Sequence, residues 1–226
     1  MHSITHYTRV VIRHSTIRVN GPLPVAYSGE LGIPHLHQQS LPEGEGPGPV
    51  ERLAVAYAPV AVRPLWLGLL ALDQRLSRAA RAGEQPVIAQ IRLAWWRDRF
   101  GESAAQWPAG EPLLALLHGW EAERSALAQL VDGWEALEIG EDGGIALRAA
   151  RVEALLALAR LAGARDDPAA VRRAALEWQD GERQGPPPRL SRAMRPLAVL
   201  RGLALGNDAP ALVRLAKAVR IGLLGR

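Results

Sequence analysis

An all-α fold is what this sequence predicts, and three observations predict it. Apolar residues recur at helical spacing along nearly everything after residue 50, no stretch there alternates like a strand, and the breaks fall at short turns, "WPAGEP", "GEDGG" and "GPPP". The chain has 226 residues, 48% of them hydrophobic, which suffices for one real core. A single helical bundle over residues 51–226 is expected, preceded by a low-order extension over residues 1–50.

The extension differs in composition from the rest of the chain. It holds five of the six histidines and closes on the breaker-rich "LPEGEGPGPV". "YTRVVIRHSTIRV" has enough β-branched residues for a strand or two, but a lone hairpin is marginal in water, so weak order is expected. His35 and His37 are two metal-ligand types without a third and are expected to be loop residues. Met1 to Gly21 lacks the apolar core and cleavage site of a secretory signal. Its composition is that of a transit peptide or of an upstream extension.

Helices are predicted in order over 51–61, 64–82, 86–104, 112–138 with a kink, 145–163, 168–181, 190–205 and 209–223. The stripe Leu65, Leu69, Leu72, Leu76 marks the second, Leu127, Leu130, Trp134, Leu137 the fourth, and Val152, Leu155, Leu156, Ala159 the fifth. Asp167 before Pro168, and Asp208 before Pro210, are N-terminal helix signals. In the third helix, "QIRLAWWRDRF" continues the stripe Val87, Ile88, Ile91 into Trp95, which is therefore expected in the core. Trp96 lies about 100° further round and faces a neighbouring helix or a central cavity.

Composition excludes several functions. There is no cysteine, hence no disulfide, thiolate metal site or cysteine nucleophile, and a cytoplasmic location is expected. The run Leu65 to Leu72 falls far short of the about 20 apolar residues that cross a bilayer. The net charge is +4, but Lys217 is the only lysine and the arginines are interspersed with acids, so no nucleic-acid partner is expected. From Arg189 to Arg226, seven Arg and one Lys stand against Asp208, a local +7 within the total of +4, leaving −3 elsewhere. There Leu212, Leu215, Val219 and Leu223 face one way and Arg214, Lys217 and Arg220 another. Such basic helices suit a protein partner or an anionic membrane surface, and hence a peripheral position at an inner membrane, or else a plain solvated face.

"YAPVAVRPLWLGLLALDQRLSRAARAGEQPVIAQIRLAWWRDRF", residues 57–100, resembles the squalene/phytoene synthase family. Pro59 and Arg63 have the family's proline–arginine spacing, and Leu93 with Trp96 and Arg97 its leucine and tryptophan–arginine pair. "LAQLVDGWEAL" and "RLSRAMRPLAVL" are similar to its middle and late helices. The resemblance implies an isoprenoid-synthase fold, head-to-head condensation of two prenyl diphosphates, and Mg²⁺ held by two aspartate clusters. It also implies an isoprenoid or polyprenyl diphosphate ligand near Tyr57, Arg63, Trp66, Leu69, Arg92, Trp96 and Arg97.

The aspartates are what this chain lacks. Anchored on Arg63, the family's first acidic motif falls on Ser77, Arg78 and Arg81. Mg²⁺ needs several hard oxygen donors, and guanidiniums supply none. Asp73, one turn earlier, is the only catalytic candidate, and beside Ser77 and Arg81 it suits an ion pair. Glu177, Asp180 and Glu182, or Glu138, Glu141 and Asp142, sit where helices end and are expected to be solvated. Arg63, Arg92 and Arg97 could hold a diphosphate or pair with Asp98 and Glu102. His118, the only histidine of the domain, is expected to pack partly buried.

Three functions are expected from these residues. The first is a squalene/phytoene-synthase-like binding or assembly protein that has lost Mg²⁺-dependent catalysis; a branch resembling the mitochondrial complex I assembly factor departs from the aspartate motifs too. The second is an active prenyltransferase, with Mg²⁺ as its cofactor, in squalene, hopanoid or carotenoid synthesis. The third is an all-α regulator unrelated to isoprenoids.

Overall fold

A computed structural model describes residues 10–12, 15–17, 46–81, 86–140, 142–206 and 211–225. The chain divides into two compact units, Met1–Gln38 and Gln39–Arg226. In the first, β1 (Val10–Ile12) pairs antiparallel with β2 (Ser15–Ile17), Val10 opposite Ile17 and Ile12 opposite Ser15. This hairpin lies in the β-branched stretch. His35, His37, Asp208 and Glu141 lie outside the described residues, as do the side chains of Leu212, Arg214 and Leu215.

The second unit is all-α among the described residues. Its helices are α1 (Pro49–Ala56), α2 (Arg63–Ala80), α3 (Pro86–Gly101), α4 (Pro112–Leu117), α5 (Arg124–Glu138), α6 (Ile145–Leu161), α7 (Pro168–Asp180), α8 (Arg195–Ala204) and α9 (Ala211–Leu224). None of the described helices is long and apolar enough to cross a membrane.

Three boundaries differ from the sequence reading, each for a local reason. The first helix stops at Ala56, and a 3₁₀ turn at Val60–Val62 comes after Pro59, whose fixed φ turns the chain. The expected 112–138 helix breaks into a 3₁₀ segment, His118–Glu123, which buries Trp120 completely and lets its indole N–H donate to the carbonyl of Leu65 at 3.3 Å. Residues 190–194 stay outside α8 because Ser191 is held elsewhere. Its amide and hydroxyl both donate to Asp166, each at 2.6 Å.

Helix α2 is the hub, packed on α1, α3, α4, α5 and α6. Leu69, Leu72 and Leu76 of its leucine stripe are buried, as are Leu127, Leu130 and Trp134 of α5 and Val152, Leu155 and Leu156 of α6. Three tryptophans stitch α2 to its surroundings through indole N–H groups: Trp66 to the carbonyl of Ala193 at 2.9 Å, Trp120 to Leu65, and Trp134 to the carboxylate of Asp73 at 2.8 Å. Each indole therefore buries a large apolar surface while its one donor is satisfied. At the α5–α6 contact, Gly133 admits the Cα of Leu147, which would lie only 2.7 Å from a Cβ placed on that glycine. Any larger residue forces the two backbones apart.

The inward face of α3 is opposite to the one the sequence reading chose. On α3 the buried residues are Ala89, Leu93, Trp96 and Phe100, while Val87, Ile88 and Trp95 are exposed. The buried set recurs at i, i+4, i+7 and i+11, a better helical stripe than the β-branched one at the helix start. On α9 the inward residues are Ala218, Ile221 and Gly222, the last lying against the ring of Tyr57, whereas Val219 and Leu223 point outward. Ala218 and Gly222 let α9 approach its neighbours closely, while Val219 and Leu223 are left outside.

Most of the paired arginines join helices rather than face an external anion. Arg97 of α3 pairs with Asp132 and Glu135 of α5, Arg148 of α6 with Asp180 of α7, and Arg172 of α7 with Glu153 of α6. The hydrogen-bonded guanidinium of Arg160, outweighing burial, holds the Glu123 carboxyl below the usual carboxylate range. These arginines are thus engaged by acids of the bundle itself.

Candidate functional site

A hollow with converging polar groups opens where the start of α1 meets α2, α6 and α7. It has a volume of about 320 Å³ and is lined by Glu51 from α1, Leu70, Asp73, Gln74 and Ser77 from α2, Arg151 from α6 and Trp178 from α7. Asp73, Gln74 and Ser77 share it because residues three and four apart lie on one helix face. Trp178 separates it from a second hollow of similar volume, bounded by Val50, Glu51, Asp180 and Leu200.

Its centre is an ion pair. Arg151 donates to both oxygens of Asp73, from Nε at 3.2 Å to each and from Nη2 at 2.9 Å, while the Trp134 indole donates to Oδ1 at 2.8 Å. The guanidinium also lies over the Trp134 ring, 5.1 Å from its centroid. Four donor contacts hold this carboxylate, and the cation–π contact holds the guanidinium that makes three of them. Asp73 is in an ion pair, as expected, but with Arg151 of α6 instead of Arg81 of its own helix. Gln74 adds a buried Oε1 with no partner.

The donor set does not fit Mg²⁺. Both oxygens of Asp73 are engaged by N–H donors, a guanidinium stands beside them, and Glu51 is the only other carboxylate on the wall among the described residues. Mg²⁺ demands octahedral oxygen donors, and the adjacent cation opposes a second positive charge. Among the described residues, no group of three or more His, Asp or Glu side chains converges. Three acids of the other clusters are used structurally, while Glu182 is exposed as expected. Glu177, expected to be solvated, is wholly buried and paired with Arg201, and accepts from the Gln184 amide at 2.8 Å. It is buried because it continues the inward stripe Val171, Ala174 of α7. Asp180 is paired with Arg148, and Asp142 accepts from the amides of Gly144 and Ala146 at the start of α6.

Of the sequence-nominated ligand residues, Leu69 borders a hollow of this region. It helps to line an apolar void of about 20 Å³ with Leu70, Leu130, Ala154 and Leu155. That is room for roughly one water molecule. Trp66 is fully buried, and Tyr57 covers Gly222. Trp96 stacks on Phe100 with ring centroids 5.7 Å apart, and Phe100 meets Trp107 edge-on. Trp95, expected in the core, is 38% exposed, edge-on to Trp96 with the Arg99 guanidinium over it. His118 is exposed rather than partly buried, its ring edge-on to Trp107.

The three nominated arginines are dispersed as well. Arg63 reaches back to the carbonyls of Ala58 and Ala56, at 3.0 and 2.8 Å, so the Pro59–Arg63 spacing serves to cap the end of α1. Arg97 is taken by Asp132 and Glu135, and Arg92 is exposed on α3. Glu102 pairs with Arg99, not Arg97.

No family model, no curated protein and no solved structure matches this chain.

The residues the sequence reading missed at the hollow are Arg151, Glu51, Gln74 and Trp178. A signal for Arg151 was present. It stands four residues after Leu147 and four before Leu155, a charge set inside an apolar stripe, as Asp73 stands between Leu69 and Leu76. Two opposite charges on inward faces of different helices call for each other.

Proposed function

We propose that this chain is a squalene/phytoene-synthase-like helical bundle that has lost Mg²⁺-dependent condensation of prenyl diphosphates and acts as a binding or assembly protein. The observation that supports this most is the engagement of Asp73 by Arg151 and Trp134, which spends the one candidate catalytic carboxylate on holding α2, α5 and α6 together. The 20 Å³ void under Leu69 agrees with it, because prenyl chains need pockets of the several-hundred-Å³ class. What remains for a ligand is the polar hollow at Gln74 and Glu51, suited to a small polar molecule.

The test is to incubate the full chain with farnesyl diphosphate and Mg²⁺ and follow pyrophosphate. Release is expected to stay at the protein-free background, for the native chain and for Asp73→Asn alike. Release by the native chain that Asp73→Asn abolishes would restore the prenyltransferase reading.

A further inference from the structure

Helix α9 has an outer face that nothing among the described residues covers. Val213, Val219, Leu223 and Leu224 are 54%, 38%, 66% and 65% exposed, and Ala216 and Arg220 are exposed with them. At 100° per residue these six positions occupy one contiguous side of the helix, opposite Ala218, Ile221 and Gly222. The inner side is tied down. Gly222 lies against the Tyr57 ring, Ile221 fits over Gly202, and Arg195 donates to the carbonyls of Gly222 and Leu223 at 3.2 and 3.1 Å. The aliphatic face is therefore held outward by a fixed helix.

Its charge is of one sign. The segment from Ala211 to Arg226 contains Arg214, Lys217, Arg220 and Arg226 and no acid. Burial, and then the charges of Arg183, Arg201 and Arg220, push the Lys217 ammonium below its ordinary value, so cations crowd this edge of the bundle. A second copy of the chain is a poor occupant, because a two-fold contact would set Arg220 and its neighbours against themselves. An anionic bilayer surface satisfies both properties, taking up the aliphatic side chains while its headgroups neutralise the arginines. Fourteen residues span about 21 Å, suited to lying in the interface plane.

We propose that the outward face of α9, built on Val213, Val219, Leu223 and Leu224 with Arg220 among them, is a docking surface for an anionic lipid bilayer.

The test is co-sedimentation of the full chain with vesicles of phosphatidylcholine alone or mixed with phosphatidylglycerol, at low and high salt. The mixed vesicles should bind the protein at low salt, and pure phosphatidylcholine should bind it weakly. The double variant Val219→Asp with Leu223→Asp should lower binding about tenfold or more. Arg220→Glu should lower it at least about fivefold. Both variants should keep the native melting temperature, since the changed side chains are exposed. Failure to bind the mixed vesicles overturns the proposal, as does equal binding by the double variant. So do a lower melting temperature in that variant, which would show another part of the chain covering the stripe, and a native oligomer that the variant splits.

Discussion

Replacing Glu177 by alanine is expected to destabilise the chain by about 3–5 kcal/mol in urea denaturation at neutral pH. Glu177 is fully buried, Arg201 is 7% exposed, and their ion pair joins α7 to α8. Deleting the carboxylate leaves a guanidinium in the core with no counter-charge, and Nη2 of Arg201 already lacks a partner. It also strips the Gln184 amide of its acceptor. A domain of this size is stable by only about 5–15 kcal/mol, so this one change consumes a large share. Changing both partners to apolar residues, Glu177→Leu with Arg201→Met, should recover most of the loss, because the pair's own desolvation disappears with it. A loss below about 1 kcal/mol for the single variant would mean a solvated pair.

Trp66→Ala is expected to cost a similar amount, about 3–5 kcal/mol. Trp66 is fully buried near the start of α2, and its indole N–H satisfies the carbonyl of Ala193 in the segment that leads into α8. Trp66→Phe separates the two contributions, keeping most of the volume and leaving that carbonyl unpaired, for about 1–3 kcal/mol. Denaturation of both variants provides the check. Near-native stability of Trp66→Ala would return Trp66 to a pocket wall, the place the family resemblance suggested for it.

The contrast between these residues shows what was legible in the sequence. The helices were visible because an apolar stripe at helical period is a direct imprint of burial: Leu69, Leu72 and Leu76 in α2, and Leu127, Leu130 and Trp134 in α5, all face the core. Which of two competing stripes turns inward was not. On α3 both Val87–Ile88–Ile91–Trp95 and Ala89–Leu93–Trp96–Phe100 have helical spacing, and the second turns inward, toward α5 and, through Phe100, onto Trp107. On α9 Gly222 turns inward against Tyr57 and Ile221 over Gly202, contacts set by other elements.

The candidate site was half visible. Asp73 stood out as an isolated acid suited to an ion pair, but its partner is 78 residues away on α6, and no local rule selects Arg151 over the nearby Arg81. Glu177 reads as a solvated helix end because a glycine stands at position 181. That glycine, at φ +69°, does end α7, yet Glu177 continues its inward stripe to meet Arg201, and the turn brings the Gln184 amide back onto the carboxylate. Chain reversals conceal burial from any reading based on sequence neighbours.

Asp73 as a structural carboxylate, with no role in binding metal, is tested most directly by thermal unfolding of the native chain and of Asp73→Asn with and without Mg²⁺. A bound ion would raise the melting temperature by mass action. The expected result is that Asp73→Asn melts lower than the native chain and that Mg²⁺ shifts neither. A Mg²⁺-dependent rise in the native chain that is absent from Asp73→Asn would contradict it.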